Sequence, residues 1–220
     1  MNNFTTTLCI ATTLLTTGAM AGLSGPIVAD FEGIDTPNTE GFYWESYGIF
    51  TSHGGLSWYC PDVPGIDNPA WVYKPSEAET GYLYGVTSGE QAFLSAYESS
   101  VEISLDGGGL WVMESVWVNA AWNNDLTINF QGLRDGQVVA EMEHVHADAT
   151  VAELITFGNA FVGIDTLIVD SWGGTDAGFG PGSADHFTMD DFTYSVPAPG
   201  AIAVLGLVGL AGQRRRRRIA

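Results

Sequence analysis

The chain has 220 residues, of which 26 are acidic and 7 are basic, for a formal net charge of −19. Five basic residues form one run near the C-terminus, so the rest of the chain carries 2 basic against 26 acidic residues, a formal charge of −24. Such a body repels nucleic acid and anionic lipid, which excludes nucleic acid as a partner. The 12% aromatic and 15% charged content excludes a disordered chain and favours one domain with a sizeable core.

Residues 1–21 are typical of a secretory signal peptide. A short apolar stretch, LCIATTLL, precedes the small-x-small sequence AMA, which ends at Ala21. Cleavage there leaves Gly22 as the new N-terminus, so we expect export through the secretion machinery. Cys60 is then the single cysteine of the mature body. It has no intramolecular disulfide partner, and we expect it to be buried.

Residues 22–195 carry the pattern of many short strands. Runs in which apolar and polar residues alternate recur from IVADFE to FTMDDFTY, separated by Gly, Asp, Asn and Pro. The clearest is LTINFQG, from Leu126 to Gly132, with one apolar and one polar face. Few segments have a helical period. The pattern predicts an all-β domain, an antiparallel β-sandwich of jelly-roll type.

Residues 196–220 form a separate tail with three features in order. It begins with Val196, Pro197, Ala198 and Pro199, and 12 apolar and glycine residues follow from position 201 to 212. The tail then carries five arginines, namely Arg214, Arg215, Arg216, Arg217 and Arg218. A membrane span needs about 20 apolar residues, so the short apolar helix predicted here is a marginal span. The arginines would stay on the cytoplasmic side, which places the body outside.

This order of features resembles the PEP-CTERM sorting signal, in which Val-Pro-Glu-Pro precedes an apolar segment and a basic cluster. Ala198 stands where glutamate is usual. The resemblance implies that an exosortase-type transpeptidase cuts near the prolines and transfers the body to the cell envelope or extracellular matrix. The membrane would then be contacted only transiently.

The body also resembles a jelly-roll domain, similar to carbohydrate-binding modules, that is common in proteins with this tail. The matching stretches are DFEG, GYLYGVTSG, VNAAWNNDLTINFQG, GIDTLIVDSWGGTDAGFG and DHFTMDDFTYS. The resemblance implies a fold and a cellular context, and it implies no particular chemistry.

Four acidic residues near the two ends of the body are candidate calcium ligands, namely Asp30, Glu32, Asp190 and Asp191. The first and last strands of a jelly roll commonly run close together, and calcium takes six to eight oxygen ligands. Resemblance to jelly-roll carbohydrate-binding modules implies a structural calcium there, and solvated surface acids are the alternative. Because neighbours in a strand point to opposite faces, we expect at most one of the two adjacent aspartates to be a ligand.

Two pairs on one predicted strand suggest further chemistry. His144 and His146 share a face, which suits zinc, but a zinc site needs further ligands and a solvated pair is the alternative. Glu141 and Glu143 also share a face, as in a glycosidase, although an exposed polar face is the alternative. The sequence contains no nucleophile elbow, phosphate-binding loop or zinc-protease helix motif. We therefore predict that the protein is not an enzyme.

Aromatic residues concentrate between positions 42 and 84, several of them beside Gly, Pro or Asp. Exposed aromatic faces stack on sugars, so four of these residues are candidate glycan ligands, namely Trp58, Tyr59, Trp71 and Tyr73. A hydrophobic core is the alternative. The sequence predicts an exported, non-catalytic surface or extracellular-matrix protein. A carbohydrate-binding module for extracellular polysaccharide is the alternative function, and a secreted hydrolase is the third.

Overall fold

A computed structural model describes residues 24–39, 44–65, 67–76, 80–179 and 184–197. These residues form many short strands and very little helix, which confirms the predicted all-β fold. The predicted signal peptide and the apolar segment of the tail lie outside the described residues. Within the described part, no helix has the length and apolar character needed to cross a membrane.

In chain order the strands are β1 (Ile27–Ala29), β2 (Trp44–Phe50), β3 (Ser52–His53), β4 (Leu56–Tyr59), β5 (Ala70–Pro75), β6 (Ala92–Leu94), β7 (Val101–Leu105), β8 (Trp111–Ala120), β9 (Asn123–Asn124), β10 (Leu126–Arg134), β11 (Gln137–Ala147), β12 (Glu153–Thr156), β13 (Val162–Ile164), β14 (Thr166–Trp172), β15 (Thr175–Asp176) and β16 (Phe187–Ser195). One short α-helix, α1, spans Gly81–Tyr84, and two 3-10 turns span Ala96–Glu98 and Asn159–Phe161.

Two antiparallel sheets form the sandwich. The first sheet has the order β12-β8-β16-β6-β5-β2, with β1 beside β16 and β13 beside β8. The second has the order β11-β10-β14-β7-β4-β3, and β15 pairs with β9 in a small ribbon. The core contains aromatic side chains from both sheets, among them Trp58, Phe93 and Phe192. Burying such large side chains removes much apolar surface from water and stabilises the sandwich.

The first and last strands lie side by side, as expected of a jelly roll. Ile27 is opposite Tyr194 and Ala29 is opposite Phe192 in the β1–β16 register. The strand pairing therefore brings the start and the end of the domain together, although they are far apart in sequence.

Side-chain alternation gives each sheet one face in the core and one outer face. In the first sheet, Val72 and Phe93 are opposite each other and belong to the core. The neighbours Trp71 and Leu94, also opposite each other, point to the other face of the sheet, where Trp71 is half-buried and Leu94 is buried. Helix α1 covers part of that face, because Asn119 Nδ2 donates to the Gly81 carbonyl over 2.9 Å. The outer face of the second sheet is mainly polar.

Candidate functional site

A pocket of about 330 Å³ opens on the outer face of the first sheet. It is lined by Trp71, Leu94, Ala96, Tyr97 and His186. Strands β5 and β6 supply the first two residues, and the 3-10 turn after β6 supplies the next two. The histidine immediately precedes β16. Antiparallel pairing of three strands therefore assembles the pocket from segments that are distant in sequence.

Trp71 stands between two tyrosines. The ring of Tyr47 is stacked on it, with centroids 4.6 Å apart and planes 6° apart. The ring of Tyr97 meets it edge-on, at 5.8 Å and 87°. Tyr97 is 58% exposed and has a φ of 60°, a left-handed conformation that is uncommon for a bulky residue. The backbone of the turn thus holds the accessible Tyr97 at the edge of the pocket, beside the stacked rings of Tyr47 and Trp71.

His186 is positioned by a chain of hydrogen bonds. Its Nδ1 lies 2.7 Å from the hydroxyl of Tyr82, and the indole N–H of Trp122 donates to that hydroxyl over 3.2 Å. Burial lowers the pKa of His186 to about 4, against a smaller opposing effect of Asp185, so the ring is neutral at pH 7. Because an indole can only donate, the Tyr82 hydroxyl accepts from Trp122, and it shares a further hydrogen bond with Nδ1 of His186. These contacts fix the position of the imidazole ring at the edge of the pocket.

The pocket is lined mainly by aromatic and apolar side chains. Within the described residues, the buried Nε1 of Trp71 has no hydrogen-bond partner. A buried donor without an acceptor costs about 1–3 kcal/mol. The described lining of the pocket carries no charged side chain at pH 7. The arrangement suits an uncharged ligand with an apolar surface that can lie against an aromatic ring.

The structure corrects the predicted glycan site at Trp58 and Tyr73. Trp58 is 1% exposed and packs against Phe31 and Phe192 in the core. Tyr73 is fully buried under α1, where its hydroxyl donates to the Tyr82 carbonyl over 2.9 Å. Both side chains therefore stabilise the fold and have no surface for a sugar.

The other two predicted residues lie on different sheets. Trp71 lines the pocket, whereas Tyr59 is 41% exposed on the outer face of the second sheet. Sequence reasoning missed Tyr97 and His186. A lone histidine in a loop carries no signal of its own, and the pocket depends on pairings between strands far apart in the chain.

The adjacent aspartates predicted as calcium ligands hold a loop after α1. Oδ2 of Asp190 accepts from the Thr87 N–H at 2.7 Å, the Thr87 hydroxyl at 3.0 Å and the Ser88 N–H at 2.8 Å. Oδ1 of Asp191 accepts from the Ser88 hydroxyl at 2.8 Å. The expectation that these aspartates point to opposite faces is wrong. The register shifts after Asp190 and Asp191 has a φ of 47°, so a bulge turns both carboxylates to one loop.

The acids near the start of the domain bind the same loop or their own turn. Oε1 of Glu32 accepts from the N–H groups of Glu90 and Gln91 at 2.6 and 2.7 Å. Asp30 accepts from the Glu32 N–H and lies 3.8 Å from Nε2 of His53. In the described part of the chain, no three His, Cys, Asp or Glu side chains form a group that could hold a metal. Calcium at the four acids remains a prediction, and the visible role of three of them is to hold residues 87–91.

The remaining candidate residues are the two histidines of β11 and Cys60. His146 Nδ1 lies 2.8 Å from Asp125 Oδ1 in an exposed pair, and the side chain of His144 is outside the described set. Cys60 is buried, as expected, and burial raises its pKa to about 12. A thiol with that pKa is protonated at neutral pH and unreactive.

No protein-family model matches the chain, and no curated protein sequence matches it. The chain is similar to several solved structures. A DUF4465 family protein from Bacteroides ovatus has a TM-score of 0.41 and 8% identity, covering 79% of this chain and 99% of that one. A family 32 carbohydrate-binding module from Clostridium perfringens, solved in complex with galactose, has a TM-score of 0.36 and 10% identity. The match covers 68% of this chain and 99% of that one. A family 89 glycoside hydrolase from C. perfringens has a TM-score of 0.37 and 10% identity over 69% of this chain, which spans only 15% of that enzyme.

Proposed function

We propose that the protein is a carbohydrate-binding module that holds an uncharged segment of extracellular polysaccharide in the pocket of Trp71, Tyr97 and His186. The observation that carries this proposal is the accessible ring of Tyr97 at an uncharged pocket, edge-on to the Trp71 indole. Sugars have an apolar C–H face that stacks on an aromatic ring, and their hydroxyl groups can hydrogen-bond to the imidazole of His186.

The charge of the body selects against acidic glycans. Glu98 follows Tyr97 directly, Asp185 precedes His186, and the body has a formal charge of −24. An anionic polysaccharide would be repelled at low ionic strength, whereas a neutral one would not. We therefore expect neutral glycans to bind and uronic-acid polymers to bind weakly or not at all.

Affinity electrophoresis and calorimetry on a panel of neutral polysaccharides test the proposal. Replacing Tyr97 by Ala removes a stacking surface worth about 1 kcal/mol, so affinity should fall by roughly fivefold to tenfold. Tyr97→Phe keeps the ring and should retain most of the affinity. Tyr59→Ala is the matched control, because Tyr59 is comparably exposed but lies on the other sheet.

Two results would contradict the proposal. One is the absence of binding across a broad neutral panel by the folded wild-type protein. The other is an equal loss in the Tyr97→Ala and Tyr59→Ala variants, which would place binding outside the pocket. Incubation with bound polysaccharide should release no reducing sugar, since we propose a non-catalytic protein.

We also propose that this module is exported and sorted by its tail to the cell envelope or extracellular matrix. The three ordered features of residues 196–220 support this through their resemblance to an exosortase substrate. The last described residues agree with a separable tail, because β16 ends at Ser195 and Val196 pairs with Ser24 at the edge of the domain. Cutting near the prolines would leave every strand of the sandwich in place.

The intact mass of the mature protein from its native envelope tests sorting. We expect loss of residues 1–21 and of the five arginines. A mature protein that keeps the arginine run would show that the tail is an anchor and is not processed.

A further inference from the structure

The outer face of the second sheet carries oxygen atoms that lack hydrogen-bond donors. Asn129 of β10 is directly opposite Asp170 of β14, and Gln131 of β10 is opposite Glu141 of β11. These residues share the outer face, because Ile128 and Phe130 of β10 are in the core. Two carboxylates and two amides from three adjacent strands therefore lie together.

The two side-chain amides of this group donate hydrogen bonds to the same carboxylate oxygen. Nδ2 of Asn129 and Nε2 of Gln131 both donate to Oε1 of Glu141, over 3.4 and 2.9 Å. Within the described residues, Oδ1 of Asn129 and Oδ1 of Asp170 are buried without a hydrogen-bond partner. Asn129 is only 6% exposed, so water has little access to its oxygen. Leaving such acceptors unpaired is costly, and a native structure usually compensates for that cost.

The electrostatics of the group favour a positive ligand. The carboxylates of Asp170 and Glu141 lie on the same face, on the two strands that flank β10, and two negative charges held there repel each other. Neither basic side chain of the body compensates them. Lys74 pairs with Glu90 over 2.7 Å, and Arg134 donates to the carbonyls of Val162 and Gly163.

From this geometry we propose that Asn129, Glu141 and Asp170 form a calcium-binding site on the second sheet. The donor set consists only of oxygens, two of them from carboxylates, which suits a hard divalent cation and not zinc. Three protein side chains are fewer ligands than calcium usually takes, so we expect the site to be weak. This site is distinct from the four acids at the domain ends and lies on the sheet opposite the glycan pocket.

Terbium luminescence gives a direct test, because terbium replaces calcium and is excited through a nearby indole. Trp172 follows Asp170 by two residues on the same face and is 43% exposed, so it serves as the antenna. We expect saturable terbium emission from the purified body that calcium displaces. Asp170→Asn and Glu141→Gln should each weaken terbium and calcium binding by about tenfold or more, through loss of a charged ligand.

Two further variants separate a site from a general effect of surface charge. Glu102→Gln removes an exposed carboxylate from β7 on the same face and should change the affinity by less than about twofold. Asn129→Asp adds a charged oxygen at the centre of the group and should tighten binding. Because this variant gains affinity, its result does not depend on a damaged fold.

The proposal is overturned if the wild-type protein gives no saturable terbium signal that calcium displaces. It is also overturned if Glu102→Gln weakens binding as much as Asp170→Asn, since the effect would then be general surface charge. The glycan proposal is tested independently, because Tyr97→Ala should leave calcium affinity unchanged.

Discussion

Two titratable groups on the outer face of the first sheet, the buried Asp190 and the half-buried His186, should make stability depend on pH in opposite directions. Burial raises the pKa of Asp190 from 3.8 to about 6, and it outweighs the Ser88, Thr87 and Asp191 amides that donate to the carboxylate. The folded state therefore holds the Asp190 proton more tightly than the unfolded state. The resulting stabilisation is fully present below pH 3.8 and is lost as the pH rises through about 6, a change of about 3 kcal/mol.

His186 has the opposite sign. Burial lowers its pKa from 6.5 to about 4, so the unfolded state binds the proton more tightly. Its contribution is fully present above pH 6.5 and is lost as the pH falls through about 4, again a change of about 3 kcal/mol. The two contributions nearly cancel between pH 4 and 7. The unfolding free energy of the wild-type protein alone would therefore hide both.

Single variants reveal the two contributions. We expect the unfolding free energy of the wild type, relative to Asp190→Asn, to fall by about 3 kcal/mol from pH 4 to pH 7. Relative to His186→Gln it should rise by a similar amount over the same range. Urea unfolding followed by tryptophan fluorescence measures both, and each variant is the control for the other.

A flat difference between the wild type and Asp190→Asn would refute the reasoning for Asp190. It would mean that the amide and hydroxyl donors of residues 87 and 88 compensate fully for burial. An NMR titration of the carboxylate that gives a pKa below 4 would lead to the same conclusion.

Three other predictions concern packing and reactivity. Trp58→Ala should lower the free energy of unfolding in urea by about 3–5 kcal/mol, because Trp58 is a core residue; a cost below about 1 kcal/mol would contradict its burial. Gly81→Ala should lower the free energy of unfolding by about 1–3 kcal/mol and with it the melting temperature, because the added methyl group meets the carbonyl oxygens of Ala120 and Ala121. An unchanged melting temperature would show that α1 shifts freely. Cys60 should react with a thiol reagent only in denaturant, and rapid labelling of the native protein would show that its strand end opens.

Local alternation predicted many of the strands, such as β10, but β4 and β5 lie in loop-like sequence, and the alternating run YLYGV contributes most of α1. The run from Leu126 to Gly132 has an apolar and a polar face, and in β10 Leu126, Ile128 and Phe130 are buried. A period of two residues follows directly from the pleat, so it is visible in any short stretch of sequence. The same kind of pattern predicted strands at both ends of the body, where β1 and β16 pair.

Alternation could not decide which tryptophan is accessible. Trp58 and Trp71 both lie in aromatic, loop-like sequence, yet the first faces the core and the second lies on an outer face. That difference depends on which side of each strand the opposite sheet covers. Tyr73 shows a further dependence, because it lies on the outer face but is buried under α1.

The sequence by itself determined the fold class and the acidity of the body, because composition and short-range periodicity carry that information, and it predicts a separate tail. Only the tertiary structure brings together the residues of the two proposed sites. The pocket joins Trp71, Tyr97 and His186 through strand pairings across more than half of the domain. The bulge at Asp191 and the unpaired oxygens of Asn129 and Asp170 likewise depend on register, which is set by contacts between strands and not by neighbours in the chain.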